Sequence, residues 1–293
     1  MDRVRQMIGY DAKFDKKLSE GVGICILDSG IVKHRDFDRR IVEFKDFVDG
    51  HIFCNDEYGH GTHIAGICAG SGVSSQGKYQ GIAPKSKLVV GRVLGKNGDG
   101  KIQDLLHGIR WCISNRKKHN IRILNISVGL IHPVNEKTKE ELMDLVEYAW
   151  DLGIVTLCAA GNNGPKDGSV TIPGSNAKVI TVGSFEIQNH LYFPSRYSGR
   201  GPTWQCVSKP EVYAPGSEIV SCSHQGGYTK KTGTSMAVPV VAGGIALLIQ
   251  SNPYISPVEV KLRLLEQAKV MSDHNGSYWR MFYLPDFLSD IKY

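Results

Sequence analysis

Val22-Gly23-Ile24-Cys25-Ile26-Leu27-Asp28-Ser29-Gly30 is a short apolar run that ends in turn residues. Such a run reads as a buried strand. The same figure returns at Lys87 to Leu94, Ile121 to Val128, Ile154 to Ala160 and Val179 to Ser184. Helical patterns fall between these runs. Gly59 to Gly70 is a glycine-rich entry into small residues. Ile102 to Lys118 carries apolar residues at Ile102, Leu105, Leu106, Ile109 and Ile113, and Glu140 to Leu152 follows. Repeated strand–helix alternation predicts an α/β fold, a three-layer sandwich whose mainly parallel central sheet is covered by helices on both faces. Glu218 to Cys222 and Tyr228 to Lys231, separated by Gly226-Gly227, predict a hairpin. Pro257 to Gln267, capped by Ser256, is the last predicted helix. With no repeat, linker or composition break, residues 1–293 read as a single domain.

Composition excludes several classes. The balance of 35 basic against 29 acidic residues gives +6, but the clearest basic cluster, Arg116-Lys117-Lys118-His119, follows a predicted helix. It reads as a solvated helix end, so no nucleic-acid partner is expected. The seven cysteines are odd in number, widely spread and without a CxxC pair, which fits free thiols in a reducing compartment. Met1 to Met7 carries no apolar stretch of the kind a secretory signal needs. No apolar run approaches the ~18 residues of a membrane span. A cytoplasmic location with no membrane partner is the expectation.

Candidate chemistry collects at turns and helix starts. In Gly233-Thr234-Ser235-Met236-Ala237-Val238-Pro239 the serine precedes Val240 to Ile249, apolar almost all round and hence a buried helix. Ser235 then lies in the first turn, where free N–H groups and the helix dipole favour a developing negative charge. A plain helix cap is the other reading of this stretch alone. Asp28 ends the first strand. In Tyr58-Gly59-His60-Gly61-Thr62-His63-Ile64-Ala65-Gly66, His60 stands between glycines at the helix entry, free to face a cleft, and His63 reads as a packed core residue. HxxH by itself lacks the further ligands of a zinc site. Cys158 to Gly164 sets Asn162 just past the fourth strand. Together these supply an acid, an imidazole, a hydroxyl and a side-chain amide beside one sheet.

The segments ILDSGI, YGHGTHIAG and GTSMAVP, in this chain order, resemble the three signature segments of the subtilisin-like serine proteases. GIAP (Gly81 to Pro84), ISVG (Ile126 to Gly129), CAAGNNG, YSGRGP (Tyr197 to Pro202) and VYAPG (Val212 to Gly216) agree. The resemblance runs from about Ile8 to about Gln267, leaving 268–293 as a C-terminal extension, and is closest to intracellular bacterial members. No long propeptide is expected before it, in contrast to secreted relatives.

The resemblance implies a serine endopeptidase with Asp28, His60 and Ser235 as its catalytic triad. It makes Asn162 the oxyanion donor, so activity should rise with pH as His60 loses its proton. Gly98-Asp99-Gly100 and Ser127-Val128-Gly129 would flank an extended peptide or protein substrate. Counting back from Pro173-Gly174 puts Thr171, uncharged, at the floor of the specificity pocket, and a broad preference for apolar or aromatic residues before the cut follows. Many relatives bind calcium. Asp36 could supply the acid, but Gly72 to Gly77 is poor in oxygen ligands, so neither metal nor cofactor is expected. Rival readings are a dedicated peptide-processing protease and a subtilase-shaped binding module without activity. Met1 to Met7 is the spare segment that could cover the cleft as a brake. The sequence does not speak to oligomeric state.

Overall fold

The computed structural model describes residues 1–11, 14, 21–129, 135–204, 206–272 and 276–289. Its strands are β1 (Gly23–Asp28), β2 (Ile41–Asp46), β3 (Lys87–Arg92), β4 (Ile121–Ile126), β5 (Val155–Ala159), β6 (Ile180–Gln188), β7 (Leu191–Pro194), β8 (Val212–Pro215), β9 (Ile219–Cys222), β10 (Tyr228–Lys231), β11 (Lys269–Ser272) and β12 (Tyr278–Met281). The parallel body of the sheet runs β2-β3-β1-β4-β5-β6-β8. After β1 the chain builds one side with β2 and β3, then crosses to build the other from β4. The reversal makes the carboxyl ends of β1, β3 and β4 the place for a site. β9 and β10 form the predicted hairpin as a separate antiparallel pair.

The helices are α1 (Asp2–Met7), α2 (His60–Ala69), α3 (Ile102–Asn115), α4 (Glu136–Asp151), α5 (Thr234–Ser251), α6 (Pro257–Gln267) and α7 (Leu284–Phe287). Alternation along β1 fixes the layers. Ile24 and Ile26 pack in the cluster that holds α2 and α5, whereas Cys25 and Leu27 pack against Leu106, Ile109 and Cys112 of α3 and Val146 of α4. Both faces are covered, and the α/β sandwich is as predicted. α5 is the one helix among the described residues long and apolar enough to cross a membrane, and it lies buried in the core.

Several boundaries differ from the sequence reading. α3 stops at Asn115 because the chain turns through Asn120, at φ 50°. α4 starts at Glu136 because Asn135 caps it, accepting from the Thr138 amide at 2.9 Å. Lys118 and His119 pair with Glu43 of β2 at 2.7 and 2.9 Å, so the basic cluster is partly neutralised against the sheet edge. Past Gln267, residues 268–272 and 276–289 pack on the rest of the domain. β12 meets β8 through Met281 and Tyr213, and Phe282, Leu284 and Phe287 join the α5 core.

Met1 to Met7 does not cover a cleft. Met1, Val4 and Ile8 are buried in the α5-side core. The Met1 amine lies 3.4 Å from the Val220 carbonyl of β9, and burial lowers its pKa to about 6. The Asp2 amide donates to Lys78 O. Apolar Met1, Val4 and Ile8 are worth more buried than spread over an open groove.

Candidate active site

Asp28 closes β1 with its side chain fully buried. Its Oδ1 accepts the Ser29 amide at 2.8 Å and the His60 Nδ1–H at 2.7 Å. His60 opens α2 and keeps 16% of its side chain exposed, on the wall of a cleft of about 730 Å³. Ser235 lies in the first turn of α5 on the same cleft. Its Oγ donates to the Ser127 carbonyl at 2.8 Å rather than to the imidazole. The acid–imidazole bond is thus in place, and the hydroxyl is turned to the neighbouring strand. Catalytic hydrogen bonds of this kind often tighten only around a substrate.

Asn162 follows β5. Its Oδ1 accepts both the amide and the hydroxyl of Thr234, at 3.0 and 3.1 Å. With the oxygen held by the α5 N-terminus, the amide NH2 is the end left for the cleft, which Asn162 lines. Ser127, Val128, Gly129, Gly98, Asp99 and Gly100 line the same cleft. Asn125 Nδ2 donates to Ser127 Oγ at 2.8 Å and fixes the strand extension that faces Ser235.

Thr171 is half-buried beside Gly129, a residue of the cleft wall. It lies against Gly129 and Gly161, where a Cβ added to either glycine would meet Thr171 Oγ1 at 2.6 and 2.8 Å. The two glycines let the walls close over it. Asp167, the nearby acid, lies in a different groove that it shares with Arg200 and Arg280.

His63 is fully buried, as its place further into an apolar helix predicts. Its Nε2–H points to the carbonyls of Ile219 and Thr229 on the hairpin, at 3.0 and 3.2 Å. Burial, with His60 and Lys231 nearby, pushes its pKa down to about 3. It is a neutral brace.

Sequence reasoning missed the residues that hold the site together. Asp56, only 2% exposed, accepts from Ser29 Oγ (2.7 Å), the Gly59 amide (2.7 Å), the Thr62 amide (2.8 Å) and Thr62 Oγ1 (2.6 Å). One carboxylate thus satisfies the free donors at the α2 start and ties them to the turn after Asp28. Gly61 is needed there, since a Cβ would sit 2.1 Å from the Gly30 carbonyl. The signal was legible: an acid just before a glycine-led helix start. Tyr58, with its ring 6.1 Å from His60, also lines the cleft, and the Lys231 ammonium lies 5.5 Å from the Tyr58 ring.

Asp36, the acid that the resemblance offers for calcium, is engaged by hydrogen-bond donors. Asp36 Oδ1 accepts the Ser74 amide at 2.9 Å, and Oδ2 accepts the Tyr228 hydroxyl at 2.7 Å. Calcium takes six to eight oxygen acceptors, whereas donors, an imidazole and a thiol surround this carboxylate.

Comparison with known proteins places this geometry. The Subtilase family profile matches residues 19–279. The serine protease AprX of Bacillus subtilis (strain 168) is 38% identical over 264 residues, covering 83% of this chain and 60% of the relative. A subtilisin of Bacillus sp. (strain TA39) is 32% identical over 272 residues, covering 88% of this chain and 63% of the relative. The chain thus spans less than two thirds of the length of these relatives. Among solved structures, Sphericase superposes with a TM-score of 0.79 at 29% identity, covering 90% of this chain and 88% of that one. A cold adapted subtilisin-like serine proteinase gives 0.77 at 32% identity, covering 94% and 91%.

Proposed function

Because the chain belongs to the subtilase family, we propose that it is a serine endopeptidase working through Asp28, His60 and Ser235. The 2.7 Å bond from His60 Nδ1–H to buried Asp28, at the wall of the cleft that holds Ser235, carries this reading. A free hydroxyl is a weak nucleophile and needs a base. Asp28 holds the imidazole with its proton on Nδ1, so Nε2 can take the Ser235 proton as Oγ leaves the Ser127 carbonyl and attacks the peptide carbonyl. His60 then returns that proton to the leaving amine, and water resolves the acyl-enzyme by the same path. The oxyanion would be met by the Asn162 NH2, oriented through its Oδ1, and by the Ser235 amide in the first turn of α5.

The substrate backbone would lie as a strand between Gly98-Asp99-Gly100 and Ser127-Val128-Gly129. Val93, Leu94, Ile102 and Val128 give the cleft an apolar lining. With the uncharged Thr171 beside Gly129 and Gly161 and Asp167 in another groove, no acid among the described residues on the Thr171 side awaits a lysine or arginine. An unpaired desolvated cation costs several kcal/mol, against about 1.5–3 kcal/mol gained by burying an apolar side chain. A broad preference for Leu, Met, Phe or Tyr before the cut follows. The seven free thiols, five of them buried, favour a reducing, cytoplasmic setting.

Labelling the full chain with a fluorophosphonate, beside Ser235→Ala, and profiling cleavage of a peptide library tests this. We expect Ser235-dependent labelling and cuts after apolar residues. A wild-type chain that takes no label is a binding module. Cleavage strongest after Arg or Lys overturns the pocket reading, and cleavage at one motif alone marks a dedicated processing enzyme.

A further inference from the structure

Beside the β9–β10 hairpin, among residues that do not line the cleft, three unlike side chains converge. His34 Nδ1, the Asp36 carboxylate and Cys222 Sγ all lie within 4.8 Å of one another, and all three residues are buried. His34 Nδ1 is 4.0 Å from Asp36 Oδ1, and Cys222 Sγ is 3.8 Å from Asp36 Oδ2. The Tyr228 hydroxyl completes the group from the other strand of the hairpin, 2.7 Å from Asp36 Oδ2. We propose that His34, Asp36 and Cys222 form a binding site for a thiophilic divalent cation of the zinc class.

Three features point to this ligand class. First, the donors are one imidazole nitrogen, one thiol sulfur and one carboxylate, the set that selects zinc and its neighbours over calcium or magnesium. Second, the imidazole is already oriented. Its Nε2–H donates to the Gly227 carbonyl at 2.9 Å, which leaves the one lone pair on Nδ1, where it accepts the Asp36 amide at 3.1 Å until a metal takes it. A backbone carbonyl behind a ligating histidine is the usual second support of a zinc ligand. Third, the charge closes. One carboxylate and one thiolate neutralise a dication in a buried place, with the histidine neutral.

The geometry needs little change. Zinc-to-ligand distances imply ligand–ligand separations of about 3.3–3.6 Å in a tetrahedral site, so the widest gap must shrink by about 1 Å. Binding exchanges the Cys222 S–H proton for the metal: S–H and M²⁺ become S–M with one proton released to solvent. The Asp36 amide gives up its bond to Nδ1, and the Tyr228 hydroxyl stays on the carboxylate or supplies the fourth ligand. The nearest guanidinium, Arg40, donates to the Asp36 backbone carbonyl, not to the side chain. An ion here would pin the loop after β1 to the hairpin that braces His63, since Ile219, Ser221 and Thr229 all hydrogen-bond that histidine. It would thereby stiffen α2 without touching the cleft.

The test uses the full chain freed of metal and titrated with Co²⁺, read by the cobalt–thiolate charge-transfer absorption and by thermal unfolding. We expect one equivalent bound, displacement by Zn²⁺, and an unfolding midpoint raised by about 4–5 °C at a hundredfold excess over Kd. Cys222→Ala and His34→Ala should each lose the absorption band while keeping a native far-ultraviolet spectrum and a cooperative melt. His34→Gln serves if the alanine variant fails to fold. Absence of a band overturns the proposal. So does a band that survives Cys222→Ala, which assigns the thiolate to Cys54 or Cys206. Stabilisation by Ca²⁺ alone would overturn the ligand class. None of these readouts depends on peptidase activity, so they stand or fall apart from the proposed function.

Discussion

The two histidines of α2 stand three residues apart, yet their surroundings give them opposite chemistry. His60 begins the helix, keeps one side on an open cleft and donates to a buried carboxylate. His63, nearly one turn on, is sealed beneath the hairpin and donates only to backbone carbonyls. A carboxylate partner stabilises the imidazolium that proton transfer creates, whereas desolvation with neutral partners forbids it. In the proposed mechanism identical side chains on one helix are thus a base and a brace, and what separates them is exposure and the charge of one neighbour.

Exchanging each for alanine should separate the roles most widely. His60→Ala should lower kcat by on the order of 10⁶-fold, a magnitude carried over from subtilisin rather than derived from this geometry. His63→Ala should leave kcat within about tenfold but cost about 2–4 kcal/mol of stability, through a cavity and two orphaned carbonyls. Steady-state kinetics with urea unfolding would check both. An active His60→Ala, or a His63→Ala that is stable but inert, would break the assignment.

A smaller effect should come from the residue that fixes the cleft end of the helix. Asp56→Ala strips partners from Ser29 Oγ, the Gly59 and Thr62 amides and the Thr62 hydroxyl. We expect about 3 kcal/mol of destabilisation. Because His60 is then positioned less well, kcat should also fall, by about 10–100-fold, with KM little changed. Asp56→Asn, which keeps acceptor capacity, should recover part of both. A loss confined to stability would mean that the first turn of α2 holds His60 without Asp56.

What could be read from sequence follows the range of the forces involved. β1, β3, β4, β5 and the core of β6 are legible because strands buried on both faces read as apolar runs. β2, in Ile41-Val42-Glu43-Phe44-Lys45-Asp46, is half-buried and interspersed with charge, so no run marks it. Asp28, His60, Asn162 and Ser235 are legible because each needs a glycine-bearing turn beside it. The cluster beside the hairpin is not, since Asp36 meets Cys222 and Tyr228 across 186 and 192 residues of chain. The failed brake at Met1 to Met7 has the same cause, because nothing local announces that Val220 and Lys78 will receive it.

The finest difference between the two histidines lies in how stability varies with pH. In the folded chain His63 titrates near 3, against 6.5 for an ordinary histidine, because burial opposes the charge. A second proton would land on Nδ1, which is buried and has no hydrogen-bond partner. Between pH 6.5 and about 3 the unfolded chain therefore binds a proton at this position that the folded chain refuses. The unfolded state gains as pH falls, and the folded state loses up to about 1.4 kcal/mol per pH unit through that window. Carboxylates such as Asp36 and Asp46, held below their ordinary values by hydrogen bonds, also lose stability in acid, but lower down and equally in a variant at position 63. The interval from pH 5 to 6 therefore isolates the histidine. His63→Gln retains an N–H for the Ile219 and Thr229 carbonyls and removes the titration, so its stability curve there should be flatter than that of the parent by about 1.2 kcal/mol per unit. Urea unfolding of both chains, in a Ser235→Ala background to prevent self-cleavage, measures the difference. Parallel curves between pH 5 and 6 would mean that the buried histidine accepts its proton after all, and the contrast with His60 would then rest on the Asp28 carboxylate alone.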